Sequence, residues 1–295
     1  MISVLHLGSL DYATALNLQK SLVDLRKQNR ISDVLLLLEH PPVITLGRNA
    51  SQKNLLASSE LLRQKGVELF ESDRGGDVTF HGPGQLVGYP IFDLRGFSPR
   101  IGAVEFVRRM EEALIRTCAD LGIACERICG LTGVWTQAGS PRPGAAGSTL
   151  LTFDAKKIAA IGVRISRSVT SHGFALNVTT DLDYFKLIVP CGISDRPVTS
   201  IAQELAGRRS VPTMEQMAHA VSLNFGRVFE RQMLWLESLD SLLVSAQPLD
   251  STSSETPHDN PSPTIGVPLQ VPRPLRELRR EQKKPRPSDD EITFA

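Results

Sequence analysis

A chain of 295 residues, 41% of them hydrophobic, can bury a substantial core as one large domain or two smaller ones. Its formal net charge of +1 argues against a nucleic-acid binder working through bulk electrostatics, and no apolar run approaches the roughly 20 residues needed to cross a bilayer. Four cysteines are too few for a disulfide framework at this length, and residues 1–8 show neither a basic n-region nor a small-residue cleavage site, so a cytoplasmic protein is expected.

Residues 11–28 predict a helix capped by Asp11, with Leu18, Leu22 and Leu25 on one face. The apolar run 34–38 predicts a buried strand that Pro41 and Pro42 stop, and residues 43–46 and 85–92 predict two more. Val107, Met110, Leu114, Cys118 and Leu121 recur at helical spacing, which places Cys118 in the core as an inert thiol. Residues 134–137, 158–165 and 174–178 predict strands, with a Gly/Pro/Ser-rich loop over 138–148. Met214, Met217, Val221, Phe225 and Val228 mark a last amphipathic helix, and His219 lies off its stripe. Strands come in pairs with helices between the groups. The fold class expected is therefore α+β, with mixed or antiparallel sheets and flanking helices. From residue 247 the chain holds nine of its nineteen prolines and a basic cluster at Arg279, Arg280, Lys283, Lys284 and Arg286, with little to bury. Residues 1–246 are expected to form one folded domain and 247–295 a disordered tail.

Three segments carry chemistry. In the first, Arg74, Gly75, Gly76, Asp77, Val78, Thr79, Phe80 and His81 run into Gly82, Pro83, Gly84 and Gln85. Each glycine gives up backbone entropy, so bare backbone must be needed there, most simply for close approach of a ligand. The segment is neither a Walker A loop nor a GxGxxG turn, so a nucleotide-phosphate cradle is not indicated. A structural turn between strands is the competing reading, weakened by the polar side chains that converge on the glycines. The second segment is Lys156 and Lys157 before Ile158, Ala159, Ala160, Ile161 and Gly162. A lysine entering an apolar strand serves as a base or as a cation beside a thiolate, although taken alone it reads as a strand-edge residue reaching water. In the third, Pro190 and Gly192 bracket Cys191, which places a thiol in a turn; alone, a buried structural cysteine is the commoner outcome. Cys125 and Cys129 are spaced like half a metal site with no second pair following, so no metal is expected. Taken together, a glycine-rich loop, a lysine and a reachable cysteine suit acyl transfer through a thioester.

The segment from Arg74 to Gln85, the lysine motif from Lys157 to Gly162, Ser171-His172-Gly173-Phe174-Ala175-Leu176-Asn177, and Pro190-Cys191-Gly192-Ile193 resemble, in order, the motifs of the lipoyl(octanoyl) transferases; Glu39-His40-Pro41-Pro42 with Thr45-Leu46-Gly47-Arg48 resembles the N-terminal one. The resemblance covers roughly residues 1–230. It implies a fold shared with the catalytic domains of biotin and lipoate protein ligases. It also implies octanoyl transfer from acyl carrier protein to a lysine of lipoyl domains, those of 2-oxoacid dehydrogenase complexes and the glycine-cleavage H protein. By the same resemblance Cys191 carries the acyl thioester, Lys157 tunes its thiol with Lys156 the adjacent alternative, and residues 74–81, 160–162 and 173–175 bind substrate. Residues 1–246 would be the catalytic domain, working as a monomer without cofactor, nucleic acid or membrane. Backbone N–H groups of Gly75, Gly76 or Gly192 are candidates for holding the oxyanion. The loop over 138–155 is longer than the turn expected there. Two other readings are an ATP-dependent lipoate or biotin-type ligase of the same fold, which would not need Cys191, and a non-catalytic acyl-binding protein.

Overall fold

The computed structural model describes residues 1–137, 155–190, 196–244 and 291–294. In chain order these form β1 (Ile2–Ser9), α1 (Tyr12–Lys27), β2 (Asp33–Glu39), β3 (Val43–Leu46), α2 (Ser59–Gln64), β4 (Glu68–Glu71), β5 (Val78–His81), β6 (Gln85–Ile91), α3 (Ala103–Asp120), β7 (Cys125–Ile128), β8 (Leu131–Thr136), β9 (Lys157–Ser166), β10 (Val169–Asn177), α4 (Ile201–Leu205), α5 (Met214–Phe229), β11 (Met233–Trp235), α6 (Leu239–Val244) and β12 (Glu291–Phe294). This is the mixed α+β architecture expected. A large sheet runs β11-β1-β2-β6-β10-β9-β8-β7 with β12 added on β9, and a small sheet runs β4-β3-β5.

The run of five apolar residues in β2 becomes intelligible from its place in the sheet. It pairs parallel with β1 and antiparallel with β6, and both of its faces are covered. Leu35 and Leu37 join the core beneath α3 and α5, while Val34, Leu36 and Leu38 join the one beneath α1. A strand buried on both sides has no use for alternation. Helix α1 is capped as expected, the Thr14 N–H donating to Asp11 at 2.8 Å, and it buries Leu18, Leu22 and Leu25. Helix α5 carries a capping box between Thr213 and Gln216. Cys118 is buried on α3, where a hydrogen bond with Cys125 and burial push its thiol up. His219 stacks on Trp235, ring centroids 4.5 Å apart.

Two features differ from expectation. β10 begins at Val169, because a tight turn at Arg167 and Ser168 folds it back on β9. Both turn residues hold positive φ, 49° and 66°, without the Gly or Asn that usually announces such a turn. In the stretch expected to be a disordered tail, Glu291–Phe294 forms a strand antiparallel to Val163–Ser166 of β9. The rest of that stretch lies outside the described residues, as do the loop over 138–154 and residues 191–195. Among the described residues no helix is long and apolar enough to cross a membrane.

Candidate active site

The glycine-rich segment joins the two sheets. Arg74 is buried, and its guanidinium donates to the Thr45 carbonyl (2.7 Å), the Thr45 hydroxyl (2.9 and 3.1 Å) and the Gly75 carbonyl (3.0 Å). The Gly75 N–H donates to the Val163 carbonyl of β9 at 3.1 Å, and the Gly76 carbonyl accepts from Asn49 N–H at 3.0 Å. This contact demands bare backbone on the facing strand: a Cβ at Gly162 would lie 2.8 Å from the Gly75 oxygen. The glycines thus serve backbone-to-backbone packing first, and the Gly75 N–H is committed to Val163, so it is not available as an oxyanion donor. Asp77 organises the neighbouring loop, accepting from the Ser51 and Val78 N–H groups (3.0 and 2.8 Å) and from the Asn54 amide.

A cleft opens between β5 of the small sheet and β9 and β10 of the large one. Of the segments singled out from sequence, Arg74, Gly76, Asp77, Thr79, His81, the run 160–162 and the run 173–175 line it. Gly75, Val78 and Phe80 do not. Strand alternation turns Val78 and Phe80 the other way, into the small-sheet core with Ile44 and Leu62. Tyr12, Val87, Tyr89 and His172 also line the cleft and were not singled out. Period-two spacing on β6 was the available signal for Val87 and Tyr89, and His172 sits inside one of the recognised motifs. Nothing in sequence marked Tyr12.

The walls are rich in titratable rings held neutral. Burial pushes His81 down to about 3 and His40 down to about 4. Gln85 gives its amide N–H to the Phe80 carbonyl (3.2 Å) and to Asn177 (2.9 Å), so its oxygen accepts from His81 Nδ1 at 2.7 Å. That fixes the His81 tautomer and leaves Nε2 as an acceptor. The His40 Nδ1–H donates to the Leu10 carbonyl at 2.6 Å, and its Nε2 accepts from the Tyr89 hydroxyl at 2.7 Å. Burial raises both Tyr12 and Tyr89. His172, with φ 57°, donates from Nε2 to Asp73 at 2.7 Å. Burial alone would raise Asp73, but His172 and Arg164 hold its carboxyl well below the usual range; His172 is itself pushed down by burial.

Lys157 is 7% exposed at the first position of β9. Its Nζ stands 4.7 Å from the Trp135 ring centroid, and the Arg196 guanidinium carbon stands 5.6 Å from the same ring. The backbone is clamped as well: Lys157 N–H donates to the Pro197 carbonyl and its carbonyl accepts from Thr199 N–H, both at 2.9 Å. Lys156 turns outward and pairs with Glu204 at 3.3 Å. Lys157 and Pro190 together line a smaller cavity, which shares Thr79, Ala160 and Ala175 with the main cleft. Pro190 immediately precedes Cys191, which lies outside the described residues. Lys157 thus lines the small cavity, while Arg74 and Asp77 are the charged residues that line the main cleft.

The family model of the lipoyl protein ligase A/B catalytic domain matches residues 11–226. An octanoyltransferase of Koribacter versatilis is 62% identical over 256 residues, covering 87% of this chain and 95% of that protein. One of Acidobacterium capsulatum is 57% identical over 248 residues, covering 82% and 96%. Among solved structures, a bipartite lipoate protein ligase of Thermoplasma acidophilum superposes with a TM-score of 0.57 at 16% identity, covering 83% of this chain and 91% of that one. Lipoate-protein ligase A bound with ATP gives 0.57 at 15%, covering 83% and 94%. Those two likenesses establish the fold alone, whereas identity above one half along most of the length establishes kinship: the chain belongs to the lipoyl protein ligase A/B catalytic-domain family, among its octanoyltransferases, and is an acyltransferase.

Proposed function

We propose that this enzyme takes an octanoyl group from acyl carrier protein onto the thiol of Cys191 and passes it to the target lysine of a lipoyl domain. The acceptors are those of 2-oxoacid dehydrogenase complexes and the glycine-cleavage H protein, and residues 1–246, a monomer in the cytoplasm, carry the activity. One observation supports this above others: Lys157 and Pro190, the residue before Cys191, line one small cavity that continues into the cleft through Thr79, Ala160 and Ala175. A cation at that point favours the thiolate, which is the reactive form of cysteine.

In the first half-reaction the Cys191 thiolate attacks the donor thioester carbonyl. The new carbon–sulfur bond forms, the carrier's sulfur leaves, and the leaving thiolate takes up a proton. One thioester replaces another, so no ATP is consumed. In the second, the neutral amine of the acceptor lysine attacks, an amide forms, and the Cys191 thiolate departs while the amine's proton passes to a base, for which Lys157 in its neutral form is the candidate. Oxyanion donors would come from Gly192 or Gly76, since Gly75 is already bonded. The acyl tail would lie along residues 160–162 and 173–175, gaining ~0.8 kcal/mol for each buried methylene.

Intact-mass measurement of the protein mixed with octanoyl-acyl carrier protein tests this reading. The wild type should gain one octanoyl group; Cys191→Ser should gain none at that position under thiol-specific release, and Lys157→Ala should gain it far more slowly. Transfer that requires ATP and free octanoate, or full activity in Cys191→Ala, would replace it with the ligase mechanism.

A further inference from the structure

A channel for a medium-length acyl chain needs an end wall as well as a mouth. The cleft meets the small cavity at Thr79, Ala160 and Ala175. Away from that neck its floor runs along three paired strands, from Ala160 to Gly162 on β9, from Ala175 to Gly173 on β10 and from Val87 to Tyr89 on β6. Helix α1 lies on the same face: Leu18 and Leu22 share one core with Val87, Tyr89 and Ala175, and the Gln19 side-chain oxygen accepts the His172 N–H at 2.8 Å. The first residue of that helix, Tyr12, is buried yet lines the cleft. Its ring packs against Phe70 (centroids 5.0 Å apart), His40 (5.2 Å) and His81 (6.1 Å, stacked), and its hydroxyl shares a hydrogen bond with Ser72 at 2.9 Å. His40 in turn holds the Tyr89 hydroxyl, at the far end of the β6 floor. Tyr12 therefore spans the gap between α1 on the large sheet and β4 and β5 of the small one, at the end of the cleft remote from Lys157. Leu16, Val43 and Phe70 pack with it and do not line the cleft, so they stand on the other side of the ring.

Resting on the reading that an octanoyl group on Cys191 lies along residues 160–162 and 173–175, we propose that Tyr12 sets the length of acyl chain this enzyme accepts. Hydrocarbon entering from the neck meets the ring face. A methyl end that stops there strands no polar atom of the tyrosine, because the hydroxyl is engaged by Ser72. A longer chain must displace the ring against its packing on Phe70 and His81. Truncating the ring extends the cleft toward Leu16, Val43 and Phe70, apolar side chains beside which further methylenes are buried instead of left in water.

The test is single-turnover acylation of the full chain by hexanoyl, octanoyl, decanoyl and dodecanoyl thioesters of acyl carrier protein, followed by intact mass, on wild type, Tyr12→Ala, Tyr12→Leu and Tyr12→Phe. In Tyr12→Ala the rate for decanoyl relative to octanoyl should rise roughly tenfold over the wild-type ratio, the effect of two more buried methylenes. Tyr12→Leu should move the ratio the same way by less, and it remains readable if the alanine variant fails to fold. Tyr12→Phe keeps the wall and loses only the hydroxyl's hydrogen bond, so its ratio should stay near that of wild type whatever its absolute rate. A ratio unmoved in both truncations, a loss equal at every length, or a shift in Tyr12→Phe as large as in Tyr12→Ala overturns the role of Tyr12. A wild type that gains no octanoyl on Cys191 overturns the acyl-enzyme reading instead, and the wall with it.

Discussion

Ala160 stands at the neck where the lysine cavity meets the main cleft, facing Ala175 across the β9–β10 pair and lining both spaces with Thr79. Leucine at this position adds three carbons to a channel walled by alanine, glycine and threonine. They would occupy the room of two to three methylenes of a bound acyl chain. At ~0.8 kcal/mol per buried methylene this is about 2 kcal/mol, or roughly 30-fold in specificity for the longer chain. Ala160→Leu should therefore lower kcat/KM for octanoyl transfer by about that factor while leaving a butanoyl donor nearly unaffected, and its thermal midpoint should stay near wild type because the added carbons enter open space. The assay is transfer from a series of acyl carrier protein thioesters of increasing chain length. An equal loss at every length, or an unchanged profile, would show that the acyl chain does not pass residue 160.

Two further outcomes follow from packing and charge. Gly162→Ala places a methyl 2.8 Å from the Gly75 oxygen, against the hydrogen bond from Gly75 to Val163. Overpacking plus a lost bond should cost ~2–4 kcal/mol, lowering the thermal midpoint by roughly 5–15 °C, whereas Gly96→Ala, with nothing within 4 Å of its added Cβ, should be silent; equal melting of the two variants refutes the close-approach argument. His40 and His81 titrate near 4 and 3 when folded but near ~6.5 when unfolded. The unfolded chain therefore binds more protons between those values, and the stability these rings contribute is fully present above pH ~6.5 and lost as the pH falls toward about 4. Each ring should remove ~1.4 kcal/mol per pH unit in that window, and His40→Gln should flatten the slope seen in denaturation midpoints between pH 7 and 5. Asp73, held low, acts only below pH ~4, where it overlaps the lower end of the His81 window and leaves the range from pH 7 to 5 untouched.

What was legible in sequence was whatever local pattern determines. The doubly buried run 34–38, the stripe of α3 and the cap at Asp11 each follow from nearest-neighbour chemistry, and the structure has them where the pattern puts them. The first half of β10 was not legible, since Val169 to His172 alternate poorly and the turn before them is made by Arg167 and Ser168 at positive φ. A left-handed arginine and serine are tolerated only because β9 and β10 pair through eight residues on either side, which is a tertiary cause. Val78 and Phe80 were grouped with the site because they share its motif. Which face of a four-residue strand looks into the cleft depends on where the small sheet packs, and that is not written in the strand itself.

The segment that marked the site most plainly turns out to have a different physical task from the one its glycines suggest. Gly75 N–H and Gly76 oxygen are engaged by Val163 and Asn49, the Gly84 N–H by Glu39 at 2.7 Å, and the Gly84 oxygen by Val178 and Thr179. Backbone so thoroughly used offers shape and few polar atoms. Beside it, His40 and His81 are neutral through burial and Tyr12 and Tyr89 are kept protonated, so these rings add no charge to the cleft, and its charged lining residues Arg74 and Asp77 are engaged by Thr45 and Gly75 and by Ser51, Asn54 and Val78. Such walls suit an uncharged hydrocarbon chain. In the mechanism proposed above, bond making would fall where Lys157 lies against Trp135, in the small cavity that shares Thr79, Ala160 and Ala175 with the cleft, and the acyl chain would lie in the cleft itself.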